Sequence, residues 1–183
     1  MATTTTANTY LQRLIGAVSL DVAIYEEVEA DRGATQQALM TVVLSSLAGG
    51  IGARGLGGMS PSNIAIIATI SLLAWAAWAL LTFEIGGRLM AEPQTRVDVG
   101  ELLRTIGFAS APGLLRVFGI LPGVTIPAFV ITAIWMLAAM VVAVRQALDY
   151  TSTGRAIAVC VIGWLLALAF AVIVGLVFGP TVT

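Results

Sequence analysis

Residues 61–83 read PSNIAIIATISLLAWAAWALLTF and residues 156–183 read AIAVCVIGWLLALAFAVIVGLVFGPTVT; neither stretch carries an Asp, Glu, Lys or Arg side chain. A helix rises about 1.5 Å per residue, so roughly 20 apolar residues cross a hydrocarbon core about 30 Å thick. Both stretches are long enough to do so. The 183-residue chain as a whole has the same character, being 58% hydrophobic and only 10% charged, with a mean hydropathy of +0.98. Soluble domains carry roughly 25% charged residues. The composition therefore predicts an integral membrane protein.

Working outward from these two stretches, three further apolar segments appear. The predicted fold is all-α, a polytopic bundle with spans over about 35–51, 62–84, 105–121, 126–144 and 156–178. The first is near the lower length limit for a span and runs into a glycine-dense turn from Gly49 to Gly58. The third holds Gly107, Pro112, Gly113 and Gly119, with Pro122 and Pro127 just beyond it. Proline removes a backbone donor and clashes with the preceding turn, so this span is expected to be kinked or broken. Glu84 and Arg88 stand i, i+4 with the acid first, the better order for a helical ion pair. Residues 84–104 carry seven charged side chains and are expected to form a water-exposed loop.

Before the first span, residues 10–31 have helical periodicity, with Leu11, Leu14, Ile15, Val18, Val22 and Tyr25 on one side. Glu26, Glu27, Glu29 and Asp31 crowd the other. A surface-lying membrane helix usually turns Lys and Arg to the headgroups. An acidic face argues instead for a cytosolic amphipathic helix packed on the inner ends of the spans, with its acids in water. Those four acids are either a partner-docking surface or a solvated face. Residues 1–9, Thr-rich and polar, are expected to be a disordered tail rather than a cleavable signal.

Orientation follows from arginine. All nine basic residues are Arg. With the N-terminus inside, the inner segments hold Arg13, Arg32, Arg88, Arg96, Arg104, Arg145 and Arg155, leaving Arg54 and Arg116 outside. The positive-inside rule then predicts an inner N-terminus and an outer C-terminus. Small residues recur every fourth position in the last two spans, at Ala139, Ala143 and Ala147 and at Gly163, Ala167, Ala171 and Gly175. Such ladders let helix backbones approach closely in lipid, either within one chain or between two.

Several chemistries are excluded or disfavoured. The chain has no His and no Lys, and its one cysteine, Cys160, lies inside the last apolar stretch. A soft-ligand metal site and a Walker lysine are therefore unavailable, and no cofactor is expected. Gly50-Ile51-Gly52-Ala53-Arg54-Gly55 spells G-x-G-x-x-G but follows an apolar helix instead of a strand, so it reads as a turn and not a dinucleotide site. A net charge of −1 with no basic run points away from nucleic acid. Arg116 is the one charge placed inside a span, close to Pro112; it either carries a binding or gating role or snorkels to the headgroups.

Three segments carry a likeness to a known family. They are Leu20-Asp21 through Tyr25-Glu26-Glu27-Val28-Glu29-Ala30-Asp31, then Gly107-Phe108-Ala109-Ser110-Ala111-Pro112-Gly113, then Val144-Arg145-Gln146-Ala147-Leu148-Asp149-Tyr150. With the order of spans, over residues 11 to 178, the chain resembles the small prokaryotic branch of the Yip1 domain family. The resemblance implies a multi-pass protein of a bacterial cytoplasmic membrane, without catalytic residues. Eukaryotic members bind small GTPases and one another. The Asp-Leu-x-Gly-Pro element that precedes their first span is missing here, which weighs against a GTPase partner. The expectation is a non-enzymatic membrane scaffold acting through other membrane proteins or self-association, in contact with membrane lipids. The alternatives are an accessory subunit of a larger membrane complex, and a small permease or channel built on the broken third span.

Overall fold

The computed structural model describes residues 8–56, 61–96 and 98–178, and every regular element among them is helical. In order these are α1 (Tyr10–Val18), α2 (Val22–Ala30), α3 (Ala34–Gly52), α4 (Pro61–Glu84), α5 (Val99–Phe108), α6 (Thr125–Ala147) and α7 (Thr153–Phe178). A 3₁₀ turn at Ala53–Leu56, a π turn at Ile85–Leu89 and a longer 3₁₀ segment at Ala111–Ile120 complete the path.

Among the described residues, two stretches are long and apolar enough to cross a membrane, Leu72–Leu89 and Thr125–Ala147, and α7 adds the shorter apolar run Thr153–Leu166. The five expected spans are thus matched by two that stand on length and apolarity. Composition explains the difference at α3, where Thr35, Gln36, Gln37, Thr41, Ser45 and Ser46 dilute a 19-residue helix.

The third apolar segment is discontinuous. Its helical part begins earlier than the expected 105, because Asp98 caps α5 by accepting from Glu101 N at 3.0 Å. This corrects the reading of 84–104 as one exposed loop: Leu102 and Arg104 are buried, and the loop proper is shorter. The α-helix ends at Phe108, and from Ala111, with Pro112 buried in its first turn, the chain continues as 3₁₀ helix. At about 1.5 Å per residue for α and 2.0 Å for 3₁₀, the ten residues of each piece together reach about 35 Å, enough for a crossing. Both pieces lie along α3. A Cβ on Gly107 would stand 2.8 Å from Ala38 Cβ, and one on Gly52 would overlap the Arg116 carbonyl oxygen. The nearby backbones leave no room for side chains there.

Residues 10–31 form two helices where one was expected. Thr9 and Gln12 close a capping box on α1. Leu20 then takes a left-handed φ of 62°, and Asp21 starts α2 by accepting from Ala23 N at 3.0 Å. A break at Leu20 rotates the two apolar stripes apart. Tyr25 docks as expected, buried beside Val28 and Ala17, but Leu11, Ile15 and Val22 are exposed. The hairpin also reaches past the ends of the long helices: Trp135 Nε1, twelve residues before the end of α6, donates to Val18 O at 2.8 Å. Of the expected tail, residues 1–7 lie outside the described residues, whereas Asn8 donates to Glu27 and Thr9 caps α1.

Candidate functional site

Charged side chains gather at the end of the bundle where α2 stops, α3 and α5 begin, and α6 turns into α7. Arg13 organises the first group. It is 2% exposed, on the same helix face as the buried Gly16 and Ala17. Its Nη2 lies 2.9 Å from Glu27 Oε1 and 2.6 Å from Asp31 Oδ2, its Nε 3.1 Å from Glu27, and its Nη1 donates to Gln37 Oε1 at 2.9 Å. One guanidinium therefore ties α1, α2 and the first turn of α3 together. Burial alone would raise the Glu27 carboxyl, but hydrogen bonds from Asn8 and Arg13 outweigh it and hold it low. The Arg13 hydrogen bond and the Gly33 amide hold Asp31 low as well.

Arg104 performs a second fastening from α5. Its Nε donates to the Val28 and Glu29 carbonyls at 3.0 and 3.1 Å, and its Nη2 also reaches Glu29 O. These carbonyls belong to the last turn of α2, which has no later amides to satisfy it, and a cation there also complements the helix dipole. A third group closes the far side. Glu92 accepts from Thr151 N and Oγ1 at 3.0 and 2.8 Å and pairs with Arg155 Nε at 3.2 Å, while Arg155 Nη1 donates to Met90 O. The Thr151 amide is the main reason that the Glu92 carboxyl is held low. Beneath it, Tyr150 donates its hydroxyl to Gly86 O at 2.6 Å, a carbonyl in the π turn.

The four acids singled out in the sequence are thus divided among three surroundings. Glu27 and Asp31 turn inward to Arg13, which corrects the expectation of a wholly wet acidic face. Glu26 is exposed and accepts from Gln146 Nε2 at 3.0 Å. Glu29 is half-buried, and its carboxyl is pushed up to about 7 by desolvation first, then by Asp149, Glu101 and Glu26, with Arg104 opposing. Among the described residues no group of acids could hold a metal ion. The Glu84–Arg88 pair forms at 2.7 Å with both side chains exposed, a geometry worth at most about 1 kcal/mol.

Glu29 gives a pH signature. Its ordinary value is 4.5 and its folded value about 7, so between these the folded protein holds the extra proton and stability falls as pH rises. Above about pH 7 the full penalty is present. Glu29→Gln is therefore expected to raise the unfolding temperature in detergent at pH 8, and to gain nothing at pH 4. A variant with an unchanged slope between pH 4.5 and 7 would assign that slope to another group.

The opposite end is sparsely charged. Arg116, on the 3₁₀ segment, is half-buried; its Nε donates to Thr132 Oγ1 at 3.3 Å and its guanidinium carbon lies 5.5 Å from the Phe129 ring centroid. Gly50 and Gly52 of the G-x-G-x-x-G string sit in the last turn of α3, where Gly52 serves the contact with Arg116. Ala139 and Ala143 are fully buried and a Cβ on Gly163 would stand 3.0 Å from Trp78 Nε1, so these small residues pack within the chain. Ala167, Ala171 and Gly175 lie outside the residues whose surroundings are described.

Arg13, Arg104, Trp135, Glu92 and Arg155 were not singled out from the sequence. Arg13 reads from the sequence as one more charge on the polar side of the helix, and nothing there marks its burial. The family model of the Yip1 domain matches residues 22–174. No curated protein and no solved structure matches the chain.

Proposed function

The chain belongs to the Yip1 domain family, and we propose that this membrane protein is a non-enzymatic scaffold that presents the charged end of its bundle to protein partners. The observation that carries the reading is the triple fastening of that end. Arg13, Arg104 and the Glu92–Arg155 clasp hold the hairpin and two loops in one arrangement, leaving Gln12 and Glu26 exposed on it. Fixing a surface ahead of association lowers the ordering cost of binding. An accessory subunit of a larger complex would use the same surface. Five crossings with the charged end inside a bacterial cytoplasmic membrane complete the proposal. That end carries seven of the nine Arg residues, so an inner N-terminus and outer C-terminus follow.

Photo-crosslinking residues at positions 12 and 26 should give a discrete protein adduct in native membranes, weakened by Arg104→Gln. Reporter fusions at the two termini should fall on opposite faces. The permease alternative needs a wet path past Pro112 and Arg116. Solute flux in liposomes that Arg116→Leu abolishes, with no adduct from positions 12 and 26, would overturn the scaffold in favour of the permease.

A further inference from the structure

We propose that Arg116 is the centre of a phosphate-binding site for an outer-leaflet anionic phospholipid, between the 3₁₀ segment and α6. The site rests on the membrane placement above and not on the scaffold reading. Its guanidinium is already half-committed. Nε is held by Thr132 Oγ1, whose own hydroxyl proton goes to Ala128 O at 2.7 Å, leaving a lone pair for Arg116. One face stacks on Phe129. The two terminal nitrogens have no hydrogen-bond partner among the described residues, yet neither is sealed away from the surroundings. They form a planar fork of uncommitted donors, the geometry that phosphate oxygens accept in pairs.

No carboxylate is paired with Arg116 among the described residues. Nine of the ten acids lie toward the charged end, and Asp21, at the hairpin tip, is turned to the Ala23 amide as the cap of α2. Arg54, exposed in the 3₁₀ turn after α3, adds a second positive charge on Arg116's side. Thr132 lies seven residues inside the start of α6, so the guanidinium sits about 10 Å from that end. An Arg at that depth without a counter-ion is costly, and an anion drawn to it removes the cost. An anionic phospholipid carries a phosphate charge with no cation of its own. A zwitterionic lipid offers the same phosphate already neutralised.

Thermal unfolding of the purified full-length chain in mild detergent, titrated with phosphatidylglycerol, phosphatidylcholine or inorganic phosphate, tests the site. Phosphatidylglycerol should raise the unfolding temperature saturably, with a midpoint at least tenfold lower than phosphatidylcholine. Arg116→Leu should abolish the response, while Arg116→Lys, which keeps the charge but loses the fork, should weaken it. Thr132→Val, which frees Nε and leaves the charge, should shift the midpoint in the same direction and covers the case in which Arg116→Leu does not fold. An equal response to inorganic phosphate, lost in Arg116→Leu, would keep the phosphate site but make its ligand a free anion and overturn the lipid assignment. A phosphatidylglycerol response that survives Arg116→Lys and Thr132→Val intact, or that Arg54→Gln alone removes, would overturn the site.

Discussion

Gly52→Ala is expected to be among the most damaging single-methyl additions in this protein. The new Cβ would overlap the Arg116 carbonyl oxygen, stand 2.9 Å from its carbonyl carbon and 3.1 Å from Phe129 Cε2. The first two atoms are backbone, so no rotamer change relieves the clash; α3 and the 3₁₀ segment must separate. Overpacking that forces side-chain and backbone shifts costs roughly 1–3 kcal/mol, occasionally more, and a clash with a backbone oxygen belongs at the upper end. For a chain of this length about 3 kcal/mol is a fall of roughly 6–12 °C in unfolding temperature. Gly163→Ala is the control. Its nearest neighbour is a side-chain atom, Trp78 Nε1 at 3.0 Å, and a small indole shift accommodates the methyl. Thermal unfolding of both variants in one detergent checks the pair. Equal losses would mean that α3 and the broken segment are not in backbone contact.

Arg13→Leu is expected to cost about 2–3 kcal/mol at neutral pH. Removing one partner of a buried ion pair typically costs about 3–5 kcal/mol, because the other charge is left without compensation. Here the carboxylates of Glu27 and Asp31 are 25% and 39% exposed, so water recovers part of the loss. The pH dependence identifies the cause. In the native protein both acids are held below their ordinary values, so the stability they contribute is present above the ordinary carboxylate range and is lost as pH falls through their lowered values. In the variant that contribution is absent, and protonation relieves the repulsion between the two acids. The deficit should therefore be large at pH 7 and shrink toward pH 4. A deficit independent of pH would point to lost packing of the arginine stem instead.

The helical class was legible because its signal is one of length and composition. The 23-residue run at 61–83 has no other low-cost home than a helix in lipid or in a large core. The break in the third segment was legible for a similar reason, since Pro112 removes a donor wherever it stands. The hairpin was harder. From Leu11 to Tyr25 the periodicity is continuous, and only the left-handed conformation of Leu20, a residue with no intrinsic preference for it, divides the helix. That choice is imposed by tertiary contacts of Tyr25 and Trp135. The same holds for the charged end. Arg104 reads as a loop residue until the Asp98 cap extends α5 back beneath it, and its acceptors, 75 and 76 positions away, are main-chain carbonyls without a sequence signature. Arg116 was visible as a charge inside an apolar segment. Its support by Thr132 and Phe129 was not, because that depends on how the 3₁₀ segment sets the register against α6.

The division of the hairpin's contacts has a consequence for the order in which the chain is assembled during synthesis. The Arg13 cluster draws only on residues between Asn8 and Gln37, so every member has been made before α3 is complete. The Arg104, Trp135 and Gln146 contacts must wait until more of the chain has been translated. The hairpin therefore emerges pre-tied by its own guanidinium to the start of α3, and lacks its contacts to α5 and α6 while α3 and α4 enter the bilayer. Its apolar residues Ala17, Tyr25 and Val28 remain without their final cover during that interval. A ribosome-bound intermediate ending near residue 100 should consequently be the form of this protein most exposed to chaperones and proteases.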